Sequence, residues 1–228
     1  MGTLQRTLYH GSKNRIEKPT YGLGKPYNDY GLGFYCTEHL DMAKEWAVGF
    51  DHDGFANTYT LDMTGLTVVD LSGEGFTAMN WLATLLRNRW FNLRAPLPLR
   101  ARDYILDTFS VDLSHADVVE GYRADDSYFM FAQDFLSGTI TYQQLKRAMR
   151  LGDLGKQVML KSKRAFKQLA YVEALPALRS EWLARRMTRD RKAREAYLAE
   201  GRNALDEDGL YISAILTERM GVTDARLQ

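Results

Sequence analysis

Two short segments near the N-terminus hold side chains whose types and spacing could do chemistry. Leu8-Tyr9-His10-Gly11-Ser12 ends a short strand pattern on an imidazole and a glycine, and Tyr30-Gly31-Leu32-Gly33-Phe34-Tyr35-Cys36-Thr37 follows after a long loop. A helical pattern carrying Trp46 comes directly after. An imidazole at a strand end can orient a ligand by a hydrogen bond, and aromatic faces attract flat cations. The plainer reading is a strand-end histidine bonded to backbone, with Tyr35 and Trp46 as core aromatics.

Other common chemistries lack their residues. The chain has no G-x-S-x-G elbow, no G-x-x-x-x-G-K-[ST] phosphate loop and no H-E-x-x-H pair. Gly31-Leu32-Gly33 precedes its strand instead of following one, which argues against a Rossmann phosphate loop. His10, His39, His52 and His115 do not fall into metal-ligand spacing, and Cys36 has no second cysteine, so no metal is expected.

Taken together, the H-G-S segment, the G-L-G-F-Y segment and the following helix resemble the NAD-binding core of the ADP-ribosyltransferase superfamily, in its poly(ADP-ribose) polymerase-like branch. Asp29 to Thr37 and Ala43 to Ala47 are closer still to a bacterial branch of small domains with D-[FY]-G-x-G-F-Y-x-T and A-x-x-W-A patterns. The resemblance spans most of residues 4–175. It implies an α+β fold with a split β-sheet core and peripheral helices. It also implies NAD as co-substrate, and mono-ADP-ribosyl transfer to a protein or nucleic acid, as in a bacterial toxin or effector. NAD glycohydrolysis, or silent binding of NAD or ADP-ribose, stays open beside it.

Residue by residue, the resemblance gives His10 a hydrogen bond to the ribose and Gly11 backbone bonds to the nicotinamide carboxamide. Tyr35 and Trp46 would sandwich the cationic ring, a contact worth roughly 1 to 2 kcal/mol once desolvated. Ser12, Gly33 and Phe34 would complete the binding segments. The superfamily's later glutamate falls on Gln157, whose amide can bond a hydroxyl but cannot take a proton. Asp126, in the Arg123-Ala124-Asp125-Asp126 turn, is then a candidate replacement carboxylate, although acidic residues also open helices. Arg123 could face the pyrophosphate. The macromolecular acceptor is unspecified, and a neutralising partner protein is one role for the C-terminal segment.

The elements that must position these residues can be read from periodicity. Strands are expected at Leu4–His10, Phe34–Thr37, two within Thr58–Leu71, Asp117–Tyr122, Gln157–Leu160 and Gln168–Glu173. Helices are expected at Glu38–Val48, Phe76–Trp90, Arg100–Phe109 and Tyr128–Leu136. Pro96 and Pro98 are read as ending the second of these. A T-x-x-Q capping box at Thr141 and Gln144 opens a further helix through Arg150, closed by Gly152 and Gly155, and Lys163–Phe166 could add one turn. Beyond Pro176 the composition turns to Arg, Ala, Leu and Glu. Residues 1–175 thus form the expected NAD-binding domain and 176–228 a helical extension, with helices Leu178–Arg202 and Asp206–Met220, the latter ended by Gly221.

Composition narrows the class without naming an activity. Hydrophobic residues are 45% and charged residues 26% of 228, which suits an ordered globular protein. A formal charge of +1 gives no global pull towards nucleic acid or membrane. The basic stretch Arg185 to Arg194 is interleaved with Asp190, Glu181 and Glu195, so it reads as a solvated helix face. One cysteine and no long apolar run lead to the expectation of a cytoplasmic protein with no membrane partner.

Overall fold

The computed structural model of the chain describes residues 4–124, 126–149, 156–202 and 208–228. Strand β1 (Gln5–Ser12) runs to the end of the H-G-S segment, and β2 (Phe34–Thr37) has its predicted bounds. Next come α1 (Leu40–Ala47), β3 (Gly54–Asp62), β4 (Val68–Asp70), α2 (Ala78–Asn88) and α3 (Pro96–Phe109). The middle of the chain supplies β5 (Val118–Tyr122), α4 (Asp126–Leu136), α5 (Tyr142–Ala148), β6 (Lys156–Leu160) and α6 (Lys163–Lys167). Strand β7 (Leu169–Ala177), α7 (Arg179–Arg202) and α8 (Ile212–Glu218) complete an α+β fold.

The seven strands form one mixed sheet in the order β4-β5-β6-β2-β1-β3-β7, antiparallel except for the β4–β5 pair. Its ladders are uneven. β1 pairs with β3 along its whole length, from Gln5 opposite Asp62 to Ser12 opposite Phe55. β2 pairs with β6 through all four residues. Between β1 and β2 there is a single pair, Tyr9 opposite Thr37. The sheet therefore nearly parts there into β4-β5-β6-β2 and β1-β3-β7.

Side chains of a strand point alternately to the two faces, and the core divides accordingly. Val119 and Met159 belong to a large cluster with Trp81, Leu82, Ile105, Phe131 and Phe135 of the helices. Their neighbours Val118, Val158 and Leu160 belong to a smaller cluster with Leu8, Cys36, Leu61 and Ala165. Tyr35 and Trp46 pack against the large cluster, and Phe34 against the small one. Cys36 is fully buried, and burial pushes its thiol well above the usual range, so it is not a poised nucleophile.

Several boundaries differ from expectation for physical reasons. Pro96 opens α3 at a position where its missing N–H is not needed, and so does not merely end α2. Thr77 and Asn80 form a capping box at the start of α2. The predicted box of Thr141 and Gln144 caps α5. β7 runs past Glu173 through Pro176, which is tolerated because β7 is an edge strand. α8 is shorter than expected and ends on a left-handed Arg219 (φ 50°), two residues before Gly221. Gly152, Gly155, Asp206 and Glu207 lie outside the described residues. The C-terminal segment is not detached, since Tyr197, Ile212, Ile215 and Leu227 join the large cluster.

Candidate functional site

Beside β2 and β6 the protein has a cleft of about 260 Å³. It is lined by Asn28, Asp29, Tyr35, Trp46, Arg89, Arg123, Ala124, Gln157 and Arg186. Tyr35 comes from β2, Gln157 from the adjoining β6 and Trp46 from α1, while the arginines arrive from the end of α2, the end of β5 and the middle of α7.

Each wall is fixed by identifiable contacts. The Tyr35 hydroxyl donates to Gly31 O (2.7 Å) and accepts from Tyr30 N (3.0 Å), tying the phenol to the G-L-G loop. Burial raises its pKa well beyond the usual phenol range, so it stays protonated. Trp46 carries the Arg123 guanidinium over its ring at 4.6 Å, a cation–π contact. The Trp46 indole N–H is buried and has no hydrogen-bond partner among the described residues. Arg123 also reaches Met42 Sδ at 3.7 Å.

Asp29 is the cleft's buried acid, 6% exposed. Its Oδ2 accepts from Gln157 Nε2 (2.9 Å) and Ala124 N (3.0 Å), and its Oδ1 lies 3.5 Å from Arg89 Nη1. Burial raises the carboxyl's pKa, against the pull of Gln157, Ala124, Arg89 and Arg123. Arg89 in turn lies over the Phe129 ring, 5.0 Å from its centre.

The remaining predicted residues lie elsewhere. His10 does not line this cleft. Its ring stacks on Phe34 with centroids 4.3 Å apart, on the side of the smaller cluster, and its Nδ1 sits 2.6 Å from Tyr35 O. Burial lowers the imidazole pKa, with the bond to Tyr35 O opposing, so the neutral form is favoured. A carbonyl oxygen only accepts, so Nδ1 carries the proton and Nε2 is an acceptor. In this structure the Nδ1 proton goes to backbone, and in the neutral form Nε2 can accept a hydrogen bond but not donate one.

Gly11 has a packing requirement of its own, because a Cβ there would lie 2.0 Å from Ala43 O of α1. Gly33 likewise makes room for Met159, whose Cγ would sit 2.4 Å from an added Cβ. The Ser12 hydroxyl donates to Asn14 O (2.6 Å) and accepts from Asn57 Nδ2 (2.9 Å), which secures the strand end. Asp126 is the first residue of α4, in the first turn that acidic residues favour. Its side chain, like Asp125, lies outside the described residues.

The structure thus brings together Tyr35, Trp46, Gln157 and Arg123, and not His10, Ser12, Gly33 or Phe34. Sequence reading assigned no role to Asn28, Asp29, Arg89 or Arg186. Asp29 stands within the quoted D-Y-G-L-G-F-Y segment, the one local signal that could have singled it out. The basic stretch of α7 is largely the expected solvated face, with i,i+4 pairs Glu181–Arg185 and Arg191–Glu195. Arg186 and Arg189 turn inward instead, Arg186 to the cleft and Arg189 to the buried Glu45 of α1 at 2.7 Å. Among the described residues there is no cluster of three metal-ligating side chains and no helix long and apolar enough to cross a membrane.

An α+β fold with an arginine-lined cleft beside a seam in its sheet is the class these observations define. A family model described as "Protein of unknown function (DUF3990)" matches residues 6–171, and the chain belongs to that family. No curated protein and no solved structure matches the chain. The family span holds every cleft residue except Arg186, which α7 adds from outside it.

Proposed function

We propose that the cleft binds NAD and that the protein is a mono-ADP-ribosyltransferase. The observation that carries this reading is the convergence of Tyr35, Trp46 and Gln157, from three separate segments, on one cleft with three arginines. A flat cation suits the Trp46 face, where a guanidinium already lies at 4.6 Å, and a diphosphate suits Arg89, Arg123 and Arg186. The buried indole N–H, without a hydrogen-bond partner among the described residues, is a further donor for a polar ligand. The near-parting of the sheet between β1 and β2 supports a split-sheet core of the ADP-ribosyltransferase kind.

In the proposed reaction the N-glycosidic bond to nicotinamide breaks with its electron pair passing to the leaving ring. A lone pair of the acceptor forms the new bond at the same ribose carbon, and the acceptor's proton goes to solvent. Tyr35 and Trp46 hold the ring, the arginines hold the anionic end, and Gln157 offers its amide to a ribose hydroxyl. His10 contributes by holding the strand that carries Tyr35. Because Gln157 cannot take a proton, single transfer is a better fit than chain growth.

Gln157 also favours a second reading, an NAD-binding module without turnover. Incubation with NAD labelled in the adenosine moiety separates the outcomes. Label on a protein or nucleic acid supports the transferase, and free labelled ADP-ribose points to a hydrolase with water as acceptor. Intact NAD with measurable heat of binding points to the silent module. The absence of any binding heat overturns all three.

A further inference from the structure

We propose that Asp29 is a positioning residue that turns Gln157 into a fixed hydrogen-bond acceptor for a sugar hydroxyl of the bound substrate. The inference rests on the nucleotide reading of the cleft.

A glutamine amide has two faces of opposite character and can rotate to show either. Within the cleft only one orientation is satisfied. Asp29 Oδ2 already accepts from the Ala124 N–H and its Oδ1 faces the Arg89 guanidinium, so both oxygens meet donors and the amide turns its nitrogen to Asp29, 2.9 Å from Nε2 to Oδ2. With its nitrogen bonded to Asp29, Gln157 is set to offer its carbonyl oxygen Oε1 to a ligand in the cleft it lines. A ribose hydroxyl donates to such an oxygen as it would to a carboxylate.

The acid is itself held by groups that do not move freely. The backbone N–H of Ala124 and the Arg89 guanidinium fix its two oxygens, and residue 29 is only 6% exposed. Such a buried charge needs partners that satisfy it. Asp29 and Gln157 thus act as one unit in which the negative charge sits one residue behind the acceptor, 128 positions away in the chain.

A double-mutant cycle tests the unit. Gln157→Glu alone places two carboxylates in direct contact, where both cannot ionise. NAD affinity should fall below that of the unmodified protein at neutral pH and become strongly pH-dependent. Asp29→Asn added to Gln157→Glu exchanges acid and amide between the two positions, and affinity should recover about tenfold, with loss of the added pH dependence. Effects that simply add overturn the assignment. If Gln157→Glu does not fold, Gln157→Met serves, since Asp29→Asn should then cause no further change in affinity, and a further drop overturns the assignment. NAD binding by calorimetry is the readout throughout. Absence of binding by the unmodified protein would sink the nucleotide reading and this assignment with it, whereas binding with additive effects would sink this assignment alone.

Discussion

At the seam between β1 and β2, one face of the sheet is filled and the other is hollow. On the filled face His10 stacks on Phe34, which meets Tyr59 edge-on at 5.6 Å and Phe166 at 6.1 Å. On the hollow face Tyr35, one residue from Phe34, lines a cleft with Trp46, Asp29, Gln157 and three arginines. The histidine of one motif segment meets the tyrosine of the other at the Tyr35 backbone carbonyl. Their difference teaches that one short segment can carry a packing residue and a ligand-facing residue side by side, because strand alternation sends neighbours in opposite directions.

The contrast can be broken by substitution. The largest effect should come from Gly11→Ala, whose new methyl meets the α1 backbone and should cost about 3 kcal/mol, measured by denaturant unfolding. His10→Ala should follow at about 2 kcal/mol, through the lost stack and lost bond. The folded fraction should still bind NAD. Full stability with no binding would instead place the imidazole in the ligand site. Tyr35→Phe should cost about 1 kcal/mol by leaving Gly31 O and Tyr30 N without their partner, and should weaken NAD binding. The smallest effect belongs to Arg186→Ala on the cleft wall, about threefold in NAD affinity and shrinking with added salt.

A pH titration sharpens the same contrast. The His10 pKa is lowered by folding, so the unfolded chain takes up the proton first as the medium is acidified. This residue's share of stability is present above about pH 6.5 and is lost progressively as the pH falls below that value. In His10→Gln that part of the pH dependence should vanish. Thermal unfolding between pH 5 and 8 measures it, and an identical pH dependence in the two proteins would contradict the buried, neutral imidazole.

Most of the fold was legible because it is written in local pattern. The run Phe34–Thr37 and the Thr141–Gln144 box need no distant information to become a strand and a helix cap. Pro96 misled because a proline that cannot continue one helix is well suited to begin another. The site was legible in part. Tyr35, Trp46 and Gln157 stand in patterned segments, whereas Arg89 follows the last residue of α2 and Arg186 sits in a helix where most basic residues face solvent. Their value arises from tertiary placement alone. Gly11 also yields space to a helix, which no reading of β1 by itself could reveal.

Ordinary rungs of a sheet are made by main-chain groups that every residue except proline supplies, so they survive almost any change of side chain. One step past the last paired residues of β1 and β2, the tie across the gap is an imidazole reaching a carbonyl. The coherence of the sheet at this point is therefore encoded by one residue type. Amide hydrogen exchange along Phe34–Thr37 would register the loss of that tie as local opening well before the whole domain unfolds.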